Sequence, residues 1–199
     1  MDWLLKLDTR LFLAINGWHN ETWDGIMWWI SGKVTWWPFY LLLLAFLAWK
    51  KRGQLLPMIV FIVLLIAVTD QTSVHLFKNV FERLRPCHEP ALNGLVHLVN
   101  DRCGGLYGFI SSHAANTFGV AFLVLLWIRE KWFTALMVVW ALLVGYSRIY
   151  LGVHYPGDVL AGGLWGAVCG WLVFLLFRWV RSRMPQTWWV VREAQPSGH

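Results

Sequence analysis

Charged side chains are scarce in this 199-residue chain: Asp, Glu, Lys and Arg together make up 14% of it, where a soluble domain carries about 25%. Too little charge is present to cover the surface of a soluble protein of this size. Cysteine is scarce as well, with Cys87, Cys103 and Cys169 in all and no CxxC spacing. That excludes a scaffold built from disulfides. No internal repeat and no low-complexity linker interrupts the chain, which suits a single domain.

What remains is apolar. Hydrophobic residues make up 58% of the chain, against about 45–50% in a soluble domain. So much apolar surface excludes a disordered chain. The sixteen tryptophans exceed what a small core uses, and tryptophan collects at membrane–water boundaries, where its ring sits half wet. The composition describes an integral membrane protein. A formal charge of +6 admits nucleic acid, anionic lipid or a phosphorylated substrate as partner. Nucleic acid fits poorly, because the basic residues are scattered between long apolar runs.

Crossing a bilayer core takes about 20 apolar helical residues. Five stretches meet or approach that length: 33–49, 55–78, 113–128, 132–150 and 158–180. The expected fold is an all-α, polytopic membrane helix bundle of five to six transmembrane helices with an N-terminal amphipathic segment. In residues 1–32, Leu4, Leu7, Leu11 and Ile15 lie near one helical face, with Asp2, Lys6, Asp8 and Arg10 elsewhere. That segment either lies along the membrane surface or makes a sixth, weak crossing. Charges interrupt its apolar run, which argues against a cleaved signal peptide. The expected units are residues 1–32, a transmembrane domain at 33–180 and a cytoplasmic tail at 181–199.

Orientation follows from lysine and arginine in short loops. Lys50, Lys51 and Arg52 join the first two strong spans, Arg129 and Lys131 the next two, and Arg178, Arg181 and Arg183 follow the last. With alternate connections on one side, all three clusters face the cytoplasm. The long loop 79–112 and the turn 148–157 then face outward. If that side is oxidising, Cys87 and Cys103 are placed for a disulfide; the alternative is two free thiols. Cys169 reads as packing. In the last span, Gly162, Gly166 and Gly170 recur every four residues, which lets a neighbouring helix approach closely.

Three polar clusters fall at the outer ends of spans. The first runs from Lys78 to Arg85-Pro86, the second is Ile110-Ser111-Ser112-His113, and the third runs from Ser147-Arg148 through His154 to Asp158. The inventory suits a phosphoryl group. Arginine's planar fork matches phosphate oxygens, and lysine adds a point charge. Ser111 and Ser112 open an apolar run, where helix-terminal N–H groups favour anions. One neutral histidine can attack phosphorus, a protonated one can donate to the leaving group, and a carboxylate can fix a tautomer. His154 and Asp158 share a face if their stretch is helical, although Tyr155-Pro156-Gly157 interrupts it.

These blocks resemble the type 2 phosphatidic acid phosphatase (PAP2) superfamily, whose pattern is K-x6-R-P, then P-S-G-H, then S-R-x5-H-x3-D. The first and third blocks match at every specified position, and the resemblance covers roughly residues 55–180. It implies a lipid phosphatase that works without a metal or other cofactor. Lys78, Arg85 and Arg148 then look like the phosphate-binding cations, aided by Ser111 and Ser112. His154 looks like the nucleophile, Asp158 its orienting partner and His113 the general acid. In the middle block Ile110 replaces the usual proline and Ser112 the usual glycine, which points to an altered pocket or substrate range with activity retained. The terminal Pro196-Ser197-Gly198-His199 spells the middle motif by chance, in the wrong place.

No HExxH or comparable ligand spacing suggests a metal site. Asp70, costly at membrane depth unless paired or wet, reads either as helping to hold the cationic cluster or line the entrance, or as a polar helix–helix contact. The resemblance implies a multi-pass enzyme, in a bacterial inner membrane with its site facing the periplasm or exterior. Its substrate would be a lipid phosphate or diphosphate: undecaprenyl diphosphate first, then phosphatidylglycerol phosphate, phosphatidic acid or a lipid A phosphate. A membrane transporter is the competing class, but it leaves the three complete blocks unexplained. The related vanadate-dependent haloperoxidases are soluble, unlike this chain.

Overall fold

Asn20, Ser111 and Pro156 set where three helices begin, and the bundle follows from those starts. In this computed structural model residues 2–185 are described; the terminal Pro196–His199 motif and most of the expected tail lie outside them. Helix α1 (Asp2–Asn16) is followed by α2 (Glu21–Ser31), whose first turn is capped by Asn20 Oδ1 accepting from the Trp23 amide at 3.0 Å. A short turn leads to α3 (Trp37–Lys50), with a proline in its first turn. Helix α4 (Leu55–Thr72) runs on through a π-helical stretch, Ser73–Lys78, and α5 (Asn79–Phe81); with the tight turn Arg52–Gln54 ahead of it, this makes one continuous helix of 30 residues, Arg52–Phe81. Helices α6 (Ser112–Trp127), α7 (Lys131–Tyr150) and α8 (Pro156–Arg183) complete the bundle. Among the described residues there is no strand, only an isolated bridge between Leu84 and Tyr107.

Each expected span is a helix. The Arg52–Phe81 helix, α7 and α8 are each long and apolar enough to cross a membrane, and α2 and α3 form a further pair bent by 71°. Residues 1–32 therefore supply two helices rather than one. Helix α6 has 16 residues, about 24 Å at 1.5 Å per residue, short of a bilayer core of about 30 Å. Its solvent is largely protein: Ala114, Ala115, Gly119, Val120, Leu123 and Val124 are all buried. The outer helices instead present Leu42, Leu56, Val63, Leu142, Leu160 and Leu164 outward, a belt that suits lipid.

Close packing of α8 on α6 depends on the glycine stripe. A Cβ on Gly166 would lie 2.1 Å from the Ala115 carbonyl oxygen, and one on Gly162 2.5 Å from that of Ser111. The two backbones touch, which fixes the start of α6 against the start of α8. At the far end, Lys50 pairs with Glu130 at 2.6 Å and Arg181 donates to Gln54 at 3.2 Å. The three basic clusters therefore share one end, opposite the loop after α5 and the turn after α7. Those outer segments are tied down. Cys87 and Cys103 form a disulfide with Cα atoms 5.9 Å apart. Asn16 of α1 donates to the carbonyls of His97 at 2.9 Å and Tyr150 at 2.7 Å, and Phe12 packs edge-on to Tyr155.

Candidate active site

The widened π-helical turn delivers Lys78 to the bundle interior, where its Nζ donates to Ser112 Oγ at 2.8 Å. Glu82 then takes a left-handed conformation (φ 46°) that ends the helix. Arg85 follows in extended chain and is buried. Its Nη1 donates to the Val153 carbonyl at 3.0 Å and faces His154 Nε2 at 3.0 Å.

His154 lies in the turn between α7 and α8, almost wholly buried. Its Nδ1 is 3.4 Å from Asp158 Oδ2, and the Gly108 carbonyl also bonds to the ring. The pair does not share a helical face. Helix α8 starts at Pro156, and Asp158 sits in its first turn, reaching back to accept from the Tyr155 amide at 3.0 Å. The Tyr-Pro-Gly interruption thus creates the pairing. With the Asp158 carboxylate at Nδ1 and a guanidinium N–H at Nε2, the partners assign the proton to Nδ1 and the lone pair to Nε2. Burial holds this imidazole well below its ordinary pKa of 6.5, and Arg85, Arg148 and Lys78 push the same way. The ring is therefore neutral at pH 7.

Arg148, in the last turn of α7, donates to Ser31 Oγ of α2, and its buried Nε has no partner among the described residues. Ser111 caps α6: its Oγ accepts from the Ala114 amide at 3.4 Å, while its own amide donates to the Asp158 carbonyl at 3.0 Å. Its amide is thus committed to α8, and the first-turn amides of Ser112 and His113 are the ones left without intrahelical acceptors. His113 lies within electrostatic reach of Arg148, His154, Lys33 and Lys78. It also lines a cavity of about 470 Å³ between α3, α4, α6 and α7. The polar end of that cavity holds Lys33, Asp70, Ser112 and His113; the rest is lined by residues such as Tyr40, Leu43, Val63, Val120 and Trp140. Asp70 is a lining residue, whereas its neighbour Thr69 makes the interhelical bond, to Asn116.

The geometry brings together all eight residues expected at the site, and it adds four. Arg83, inside the first block, donates to Asp158 Oδ1 at 2.9 Å and to Asp8 Oδ2 at 2.7 Å. Asp8, Ser31 and Lys33 come from the N-terminal helices and the turn after them. Position between Lys78 and Arg85 could have flagged Arg83; nothing local flags Asp8 or Ser31. Among the described residues one group has metal-ligand chemistry, Cys87 with His88 and Cys103, and its two cysteines are bonded to each other.

A neutral histidine backed by a carboxylate and ringed by three cations, at one end of an apolar bundle, defines a membrane enzyme of phosphoryl chemistry. Residues 54–182 match the model of the PAP2 superfamily. The chain is 38% identical over 189 residues to a lipid A 4'-phosphatase of Bacteroides thetaiotaomicron, covering 92% of this chain and 83% of that one. It is 31% identical over 174 residues to an undecaprenyl-diphosphatase of Sulfolobus acidocaldarius, covering 86% and 77%. The crystal structure of Aquifex aeolicus LpxE superposes with a TM-score of 0.62 at 27% identity, covering 85% of this chain and 95% of that one. The chain belongs to the PAP2 superfamily and is a membrane lipid phosphatase.

Proposed function

We propose that this enzyme removes a phosphate from lipid A, at the extracytoplasmic face of a bacterial inner membrane, through a phosphohistidine on His154. The observation that carries the chemistry is the pair of partners on the imidazole, Arg85 Nη1 3.0 Å from Nε2 and Asp158 Oδ2 3.4 Å from Nδ1, which assigns the lone pair to Nε2. Nε2 attacks phosphorus, the bond from phosphorus to the lipid oxygen breaks, and His113 gives its proton to the leaving alkoxide. Lys78, Arg85, Arg148 and the first-turn amides of α6 stabilise the charge on the transferring group. Water then attacks phosphorus, His113 takes its proton, and inorganic phosphate leaves with the lone pair restored to Nε2. Metal-independence is part of this proposal. The cavity beside His113 offers the lipid a sideways route between α3 and α4.

Lipid A is favoured over the polyprenyl diphosphate by the higher identity and fuller coverage of the lipid A 4'-phosphatase relative. The undecaprenyl-diphosphatase relative keeps undecaprenyl diphosphate as a second reading. The test is phosphate release by purified protein in detergent, with EDTA, from lipid A, undecaprenyl diphosphate, phosphatidylglycerol phosphate and phosphatidic acid. Lipid A should give the highest kcat/KM, and His154→Ala and His113→Ala should abolish it. Full activity in His154→Ala overturns the mechanism; a higher kcat/KM on undecaprenyl diphosphate overturns the substrate.

A further inference from the structure

The Asp158 carboxylate is held by more than its histidine. It is wholly buried, and its Oδ1 accepts from Arg83 Nη1 at 2.9 Å. The other arm of the same guanidinium, Nη2, donates to Asp8 Oδ2 at 2.7 Å, and its plane lies 4.0 Å over the Tyr155 ring. Asp8 Oδ1 accepts from the Gly157 amide at 2.7 Å, in the first turn of α8. A continuous chain thus runs from α1 to the imidazole: Asp8, Arg83, Asp158, His154. A forked guanidinium is the group that can bridge two carboxylates in fixed geometry.

We propose that Asp8 and Arg83 are positioning residues, which set the orientation and basicity of His154 through Asp158. This rests on the reading of His154 as nucleophile. The argument is one of charge. Arg83 alone beside Asp158 makes a neutral pair that gives an imidazolium little support. A second carboxylate returns the trio to a net negative charge. That matters because the other groups facing His154 are Arg85 from the outer loop, Arg148 from α7, Lys78 from the end of the α4–α5 helix and His113 from α6. Tyr155 and Glu89 are the remaining titratable neighbours of Arg83. Every negative charge behind Nδ1 therefore bears on how readily Nε2 gives its lone pair to phosphorus.

The experiment is a pH profile of kcat/KM on the lipid phosphate that the wild type turns over fastest, whose acid limb reports the essential base of the free enzyme. Asp8→Asn keeps an oxygen for the Gly157 amide and removes the charge together with the acceptor for Arg83 Nη2. It should lower kcat about tenfold with KM nearly unchanged, and move the acid limb to lower pH. Arg83→Gln leaves two carboxylates uncompensated and should move that limb to higher pH. Opposite shifts are a signature that loss of folded protein does not produce. Should Arg83→Gln not fold, Asp8→Asn decides by itself. An unmoved acid limb in Asp8→Asn, or shifts of the same sign in both variants, overturns the proposal. If His154→Ala is inactive and Asp8→Asn behaves as wild type, this inference fails alone; if His154→Ala is active, the nucleophile reading fails first.

Discussion

Arg85 Nη1 lies 3.0 Å from His154 Nε2, the ring nitrogen to which its partners assign the lone pair. A phosphoryl group attacked by that lone pair must enter between the two, taking an N–H from Arg85 while the bond to the Val153 carbonyl holds the guanidinium in place. The fork, and not charge alone, is therefore needed. Arg85→Ala should lower kcat/KM by about 10³ and Arg85→Lys by about 10², since one lost transition-state donor costs on that order. Phosphate release from the lipid substrate measures both. Wild-type activity in Arg85→Lys would show that a point charge suffices.

Acid should weaken the fold through His154. The buried, cation-facing ring has a folded pKa well below 6.5, so between that value and 6.5 the unfolded chain binds the extra proton. The contribution of His154 is fully present above about pH 6.5 and is lost as pH falls toward the folded value. Thermal unfolding in detergent at pH 7.5 and pH 5 measures it. His154→Asn, which cannot titrate, should lose less Tm than wild type between the two. An equal loss assigns the acid sensitivity to other groups.

Phosphoryl chemistry needs particular residue types, so Lys78, Arg85, Arg148 and His154 stand out as candidates in three polar blocks, and the resemblance to the PAP2 pattern implies their roles. The spans could be read too, because lipid imposes long apolar runs. Other features are set by tertiary packing and leave no local pattern. Asp8 and Ser31 reach the site because α1 and α2 fold back onto the outer end of the bundle. The short α6 is a length that the sequence displays, but its central burial comes from α4, α7 and α8 closing around it. The His154–Asp158 pairing was suggested by a helical spacing and arises instead from a helix start.

Lipid access should be separable from chemistry. Val63 and Ile66 line the cavity from α4, yet both are exposed, so a larger side chain there narrows the slot without overfilling the core. Val63→Trp should lower kcat/KM on a long-chain lipid phosphate by about tenfold or more, a typical cost for steric mismatch in an apolar pocket. A soluble aryl phosphate, with no chain to seat, should be turned over at the wild-type rate. Equal effects on both substrates would place the lipid route elsewhere.

The glycine stripe makes the sharpest stability prediction. A Cβ on Gly166 would stand 2.1 Å from the Ala115 carbonyl oxygen and 2.9 Å from the Gly119 amide nitrogen. These are backbone atoms of a helix, so relief requires α6 and α8 to separate. Gly166→Ala should cost about 2–4 kcal/mol, in the range of overpacked cores and displaced backbone. Activity should fall with it, because α6 carries Ser111, Ser112 and His113, and the Ser111 amide holds the Asp158 carbonyl. The control is Gly25→Ala in α2, where nothing lies within 4 Å of the added Cβ; there alanine favours the helix by up to about 1 kcal/mol, and Tm should hold or rise. Equal Tm values for the two variants would mean that the α6 and α8 backbones are not in contact.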